Sequence, residues 1–377
     1  MARDTDTTLV HFATTLIQLI DQASTNSTYK YALTIALVDA AVENMGGSPE
    51  GRGFVTTEEL ARRVIDLYWP HTRPWPGGSG LEESQRLRQL QSRGSSIVDR
   101  VAEAAVEYGR QPRRASFEAA EPERWASLLE EVERTLISYP IPRLQRLGTE
   151  VVPLVFDPTA WPEKGVGFKL AAYFRARREG VNHEGFDNRV QFLEGAEEAL
   201  AVLSPVIRPL VIDKWVDYVR SRNEGKGQES LREFLFGADR TSLMTIRRPL
   251  ADLQEGRCFY CGESMGDDIA IDHFVPWSRT GCDDLFNLVA AHAGCNSSKS
   301  DHLPSRSHVH AWLGRCGRAA DEIQAIAAHS GWASDEVRTR RVVASCYWSA
   351  GQHTMLWESM GGFEQVTDEV LAEIRGA

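Results

Sequence analysis

Four of the six cysteines in this chain fall between Cys258 and Asp301, and their spacing leaves that stretch few ways to fold. Cys258-x2-Cys261 is answered by His292-x2-Cys295. A tight turn over two intervening residues aims both flanking side chains at one point. Two such turns complete the tetrahedral shell of thiolates and imidazole that zinc prefers. With all four positions taken by protein, no place is left for water, so this Zn2+ is expected to be structural. Cys282, inside the same window, is a rival ligand. A pair of knuckles can also do no more than shape a surface, which makes a zinc-stabilised nucleic-acid-binding module without catalysis the alternative.

The same window holds a second set of chemistry-bearing residues: Asp272-His273, then Asn287, then Asn296 and Lys299. Hydrolysis of a phosphodiester needs a base for the attacking water, a divalent cation to hold the scissile phosphate, and something to stabilise charge on the leaving oxygen. An imidazole titrating near about 6.5 is available as a neutral base at neutral pH. Carboxylate and amide oxygens suit a hard cation, whereas thiolates suit zinc. Local patterning places these residues on plausible elements. Ile269 to Val275 alternates towards a strand ending at Pro276, and Leu285 to Ala291 is a second apolar run. The turn between them contains Gly281, Asp283 and Asp284. A helix starting near Cys295 would carry Asn296 and Lys299 on one face at i, i+3.

These residues, read as Asp272-His273-Phe274-Val275-Pro276, Asn287-Leu288 and Cys295-Asn296-Ser297-Ser298-Lys299, resemble the HNH (ββα-metal) nucleases in their zinc-stapled form. The resemblance implies that His273 is the general base and that Asn287 holds the imidazole in its useful orientation. It further implies that Asp272 and Asn296 hold a catalytic Mg2+ or Mn2+ and that DNA is cut to leave 5'-phosphates; Lys299, beside them in the motif, is the candidate for neutralising phosphate. Asn296 stands where other members have His, and His292 where many have Cys; zinc accepts the second exchange. An RNA-directed nuclease remains a rival, and chains that resemble this one suggest restriction or antiphage defence. One site per chain cuts both strands only as a homodimer or in two sequential events.

Length allows roughly two or three domains, each with an adequate core. At 42% hydrophobic and 25% charged residues the composition is that of an ordinary soluble protein. No apolar run is long enough to span a bilayer, and Met1 to Asp6 has no signal-peptide character. Cys282, Cys316 and Cys346 read as buried or free thiols of a reducing compartment, so a cytoplasmic location is expected. A net charge of −11 argues against non-specific coating of nucleic acid, because that affinity comes from Lys and Arg. Lys299 is conspicuous as the only lysine after residue 226.

The expected fold class is mainly α, with a helical N-terminal region, a C-terminal ββα-metal module and a helical tail. Residues 1–140 read as a helical domain for target or partner recognition, 141–238 as a helical linker domain, 239–310 as the nuclease module and 311–377 as the tail. Leu9, Phe12, Leu16, Ile17 and Ile20 form an apolar stripe, and Tyr29 to Met45 is a second helix stopped by Gly46-Gly47. Thr56-x-x-Glu59 is a capping box for a third, so a helix-turn-helix-like reader or a plain helical bundle fits this region. From Gln85 to Arg114, seven arginines stand against three acids, a candidate for touching phosphate. Arg189 to Leu203 reads as a helix, with Pro205 and Pro209 bracketing a turn before another from Leu210 to Arg222. A helix leading into the module is expected to break near Pro249. Arg240, Arg247 and Arg248 on that approach are the candidate DNA-binding group, offsetting the acidic cluster of Asp267, Asp268, Asp283 and Asp284. The tail is expected to be helical from Val309 to Leu313, Ala319 to Ala328, Glu336 to Trp348 and Asp368 to Ile374.

Overall fold

The computed structural model describes the chain apart from residues 1, 23–26, 48–50, 76–85, 91–95, 109–112, 162–165, 182–184, 224–230, 238–239, 352–353, 368, 370 and 373–377. It is 63% helical, with only small two-stranded sheets, so the mainly α class is observed. The chain divides into two compact units: Met1–Ala40 with Gly53–Gly237, and Ala41–Arg52 with Ala238–Ala377. Among the described residues no helix is long and apolar enough to cross a membrane.

In the first unit the opening helix, Ala2–Gln22, buries Phe12, Leu16, Leu19 and Ile20. Ile17 from the expected stripe is exposed, because a turn of 3.6 residues carries it off the face that Leu19 completes. The capping box forms as expected: the Thr56 hydroxyl accepts from the Glu59 N–H, and the Glu59 carboxylate accepts from the Thr56 N–H at 2.9 Å. The helix it starts, Thr57–Tyr68, packs along Pro122–Ser138. Between them the buried Glu133 carboxylate accepts from Thr57 and pairs with Arg177 at 2.5 Å.

Two expectations fail here. Arg189–Gln191 is a strand paired antiparallel with Phe54–Thr56, and no turn follows it at the prolines. A single helix runs Ala196–Arg222 with Pro205 and Pro209 inside it. Each proline removes one ladder bond, a loss of about 3 kcal/mol in an isolated helix. Ser204, Ile207, Arg208, Val211 and Ile212 are buried on either side, so packing outweighs propensity. The basic stretch is also less free than its composition suggests. Arg86 pairs with Asp99, Arg100 with Glu131, and Arg114 with Asp66 and Glu118; Arg93 and Arg110 lie outside the described residues.

In the second unit, Ala270–His273 pairs antiparallel with Leu288–Ala291, setting Asp272 opposite Val289 and His273 opposite Leu288. The helix Ala293–Lys299 follows at once and packs on the first strand. Strand, loop, strand and helix therefore occur in the expected order. The entering helix, Arg240–Leu253, does not break at Pro249, since Ile246, Leu250 and Ala251 hold both sides of the proline in the core. Helices Arg306–Arg318, Ala320–Ser330 and Glu336–Trp348 follow as expected. An unforeseen hairpin, Met355–Ser359 with Gly362–Gln365, comes next. The last expected helix lies largely outside the described residues.

Residues on both sides of position 310 share one core in this unit. Phe274 stacks on Trp312 with ring centroids 5.2 Å apart, and the Trp312 indole N–H donates to the Phe286 carbonyl at 2.9 Å. Buried Arg315 donates to the carbonyls of Phe286 and Leu288. The tail helix thus satisfies one carbonyl of the second strand, Leu288, and one of the turn before it, Phe286.

A buried polar network in the first unit yields a test of its own. The Thr28 hydroxyl and the Trp215 indole both donate to Gln89 Oε1 at 2.9 Å, and Gln89 Nε2 meets His71 Nδ1 at 3.0 Å. Burial holds His71 down at about 3, against the Gln89 bond that raises it. An unfolded imidazole takes up its proton near about 6.5, so the unfolded chain binds more protons below that pH. The stability present at neutral pH is therefore lost as the pH falls, by about 2 kcal/mol near pH 5. Thermal unfolding at about pH 7 and about pH 5 should show a larger drop in Tm for the wild type than for His71→Phe; equal drops would contradict this.

Candidate metal centre and active site

Cys258, Cys261, His292 and Cys295 converge, with their ligand atoms all within 4.8 Å of one another. Cys261 Sγ lies 3.3 Å and Cys295 Sγ 4.0 Å from His292 Nδ1. Tetrahedral zinc with bonds of about 2.1–2.3 Å sets its ligands roughly 3.5–3.8 Å apart, so the four residues fit that ion. The surroundings orient the ligands. His292 Nε2 donates to the Ser264 carbonyl at 3.2 Å, which leaves Nδ1 to face the sulfurs, and the His292 backbone N–H donates to Cys258 Sγ at 3.4 Å. Burial, followed by the charges of Cys258 and Cys261, pushes the Cys295 thiol up to about 12. Three thiolates therefore share this space only beside a cation. Cys282 is buried elsewhere and is not part of the set; burial pushes its thiol up to about 12.

The first knuckle reaches into the second constellation. Tyr260 lies between the two zinc cysteines, and its hydroxyl donates to Asp272 Oδ2 at 2.5 Å. The Lys299 ammonium sits 2.9 Å from the same oxygen and also donates to the His273 carbonyl at 2.9 Å. Lys299 has no exposed surface, and burial lowers its pKa while Asp272 pulls it back up. This corrects the expected role: an ammonium enclosed in this way neutralises Asp272 and is not offered to a phosphate. One carboxylate oxygen, Oδ1, remains for a metal. Asn296, one turn before Lys299 on the same helix, is half-buried, and among the described residues its carboxamide makes no hydrogen bond. An aspartate oxygen and an unpartnered amide are the hard donors that Mg2+ or Mn2+ takes, the remaining positions falling to water and substrate.

Consecutive strand residues point to opposite sides of a sheet, and His273 finds a different partner from Asp272. Its Nε2 lies 2.9 Å from Asp283 Oδ1. Asn287, expected to hold the imidazole, makes its side-chain bonds elsewhere. Its Oδ1 accepts from the Val275 N–H at 2.9 Å, and its Nδ2 donates to the carbonyls of Val275 and Cys282 at 3.1 and 2.9 Å. Asn287 is a loop anchor, since a completely buried amide meets its needs first from the nearest backbone.

Two of the candidate DNA-binding arginines have partners on or near their own helix. Arg247 donates to the Asp267 carbonyl at 2.9 Å, and Arg248 stands 3.9 Å from Asp252 on its own helix. Arg240 begins the helix, and its side chain lies outside the described residues. Tyr260 and Asp283 were missed as site residues. A signal for Tyr260 was its place inside the knuckle, and for Asp283 its place in the turn between Asp272-His273 and Asn287.

Residues 258–305 match the family model for HNH endonuclease. Neither the curated proteins nor the solved structures gave a match. The C-terminal unit therefore contains an HNH endonuclease domain, with a Cys3His cluster compatible with the zinc-stapled form.

Two outcomes are expected. Elemental analysis should find one zinc per chain, and Cys295→Ser should release it and unfold the second unit, as seen by a lost cooperative transition; an unchanged transition would contradict the staple. Lys299→Met should destabilise the same unit by about 3–5 kcal/mol, because it strands the Asp272 charge in the interior. Unaltered stability with weakened DNA binding would restore the phosphate-binding role.

Proposed function

We propose that this protein is a metal-dependent endonuclease that hydrolyses phosphodiester bonds in DNA through its HNH domain. The observation that carries this is the Lys299 ammonium. By bonding both Asp272 and the His273 carbonyl, it ties the end of the first strand to the helix that bears Asn296. Asn296, more than twenty residues beyond Asp272 and His273 in sequence, thereby lies on an element that adjoins theirs.

In this reading His273 takes the proton from the attacking water. With Nε2 donating to Asp283, the lone pair lies on Nδ1, which has no hydrogen-bond partner among the described residues. Asp272 Oδ1 and the Asn296 carboxamide oxygen would hold the divalent cation, which when bound supplies positive charge beside the scissile phosphate and the leaving 3' oxygen. Tyr260 and Lys299 fix which Asp272 oxygen is free. The zinc cluster holds the knuckle that carries Tyr260 and takes no part in the chemistry. Recognition of the target or of a partner protein would fall to the first unit, and cutting of both strands to a homodimer or to two sequential events.

Purified protein should nick or linearise plasmid DNA with Mg2+ or Mn2+ and stop with EDTA. His273→Ala should lower the rate by at least about 100-fold with Tm unchanged. Full activity in that variant would overturn the catalytic assignment, and faster cutting of RNA than of duplex DNA in parallel digests would overturn the substrate.

A further inference from the structure

We infer that Asp283 is the positioning residue for the His273 base, the task that the sequence pattern gave to Asn287. This rests on the nuclease reading of the site and adds a residue to it. The starting point is the inventory of Asn287: both of its donor positions and one of the two lone pairs on its oxygen are used on the backbone of Val275 and Cys282. Its remaining lone pair makes no bond to the imidazole, whose Nε2 turns to Asp283 instead. Asp283 Oδ1, at 2.9 Å from His273 Nε2, is the ring's only hydrogen-bond partner among the described residues.

The loop that presents Asp283 is clamped at three successive residues. Asn287 Nδ2 holds the Cys282 carbonyl at 2.9 Å, and the Trp332 indole N–H holds the Asp283 carbonyl at 2.6 Å. The Asp284 carboxylate accepts from the Phe286 N–H at 3.0 Å and from the Asp335 N–H at 2.7 Å. A carboxylate on a backbone fixed in this way holds a ring at a set angle with little freedom left to lose. A carboxylate only accepts, so Nε2 carries the ring proton and Nδ1 the lone pair that receives a proton from water. Asn287 then acts one step removed, through the backbone it anchors beside Asp283. The bland alternative is a surface ion pair, since the Asp283 side chain is 46% exposed. The clamped backbone and the absence of any other partner for the ring favour positioning.

The test compares Asp283→Ala and Asp283→Asn with wild type and His273→Ala, all in the full-length zinc-loaded protein with Mg2+. The Asp283 side chain is exposed, so its removal leaves the core intact, and Tm checks this. Asp283→Ala should lower kcat roughly 10- to 100-fold with KM for DNA within about 2-fold. Asp283→Asn, which keeps an acceptor oxygen, should recover part of that loss. In 15N-labelled protein without DNA, the ring N–H resonance that vanishes in His273→Ala should also broaden into solvent exchange in Asp283→Ala. Wild-type kcat in Asp283→Ala, a loss confined to KM, or an unchanged ring N–H signal would overturn the assignment. A fully active His273→Ala would instead overturn the nuclease reading, and the ring signal would still show whether the contact exists.

Discussion

One oxygen, Oδ2 of Asp272, joins the two halves of the HNH domain. It receives the Tyr260 hydroxyl from inside the zinc knuckle and the Lys299 ammonium from the helix that carries Asn296. A carboxylate this deeply buried is tolerable only with its charge met, and here the two donors come from the two elements whose relative placement defines the site. The Cys3His cluster and Asp272 are therefore mechanically linked. Whatever fixes Cys258 and Cys261 also fixes the residue between them, and with it the rotamer of Asp272.

The rest of the second unit keeps that arrangement stiff. His308, buried in the helix after the domain, bonds the Tyr260 carbonyl at 3.1 Å and stacks on Trp357 of the late hairpin. Trp312 caps a carbonyl of the turn before the second strand and Arg315 one of the strand itself, and Asp284, raised by burial to about 6, ties the loop that carries Asp283 to the start of the helix Glu336–Trp348. A two-stranded sheet is marginal alone, and the helices after residue 305 supply the core it lacks.

The sequence disclosed those features in which ligand spacing is local. Two knuckles, the Asp-His pair and the Asn-x2-Lys helix are short-range patterns, and each folded as its spacing required. Burial and partner choice across a loop are not local, and short-range spacing does not encode them. Lys299 looked like a free cation because nothing in its neighbours shows that it is enclosed. Asn287 was given the imidazole, although its amide closes on Val275 and Cys282. Asp283 reads from sequence as one of an acidic crowd, yet among the described residues it is the one that meets the ring. Pro205, Pro209 and Pro249 were read as breaks from propensity, which core packing overrode in all three places.

The central claim is that a hard cation sits on the free oxygens of Asp272 and Asn296 while a soft-ligand ion occupies the knuckles. Anomalous diffraction from crystals of the zinc-loaded protein soaked in Mn2+ tests it most directly. A manganese peak touching Asp272 Oδ1 and the Asn296 carboxamide, with a separate zinc peak among Cys258, Cys261, His292 and Cys295, is the predicted result. Manganese absent from that pair of oxygens, with the crystal competent to bind it elsewhere, would contradict it.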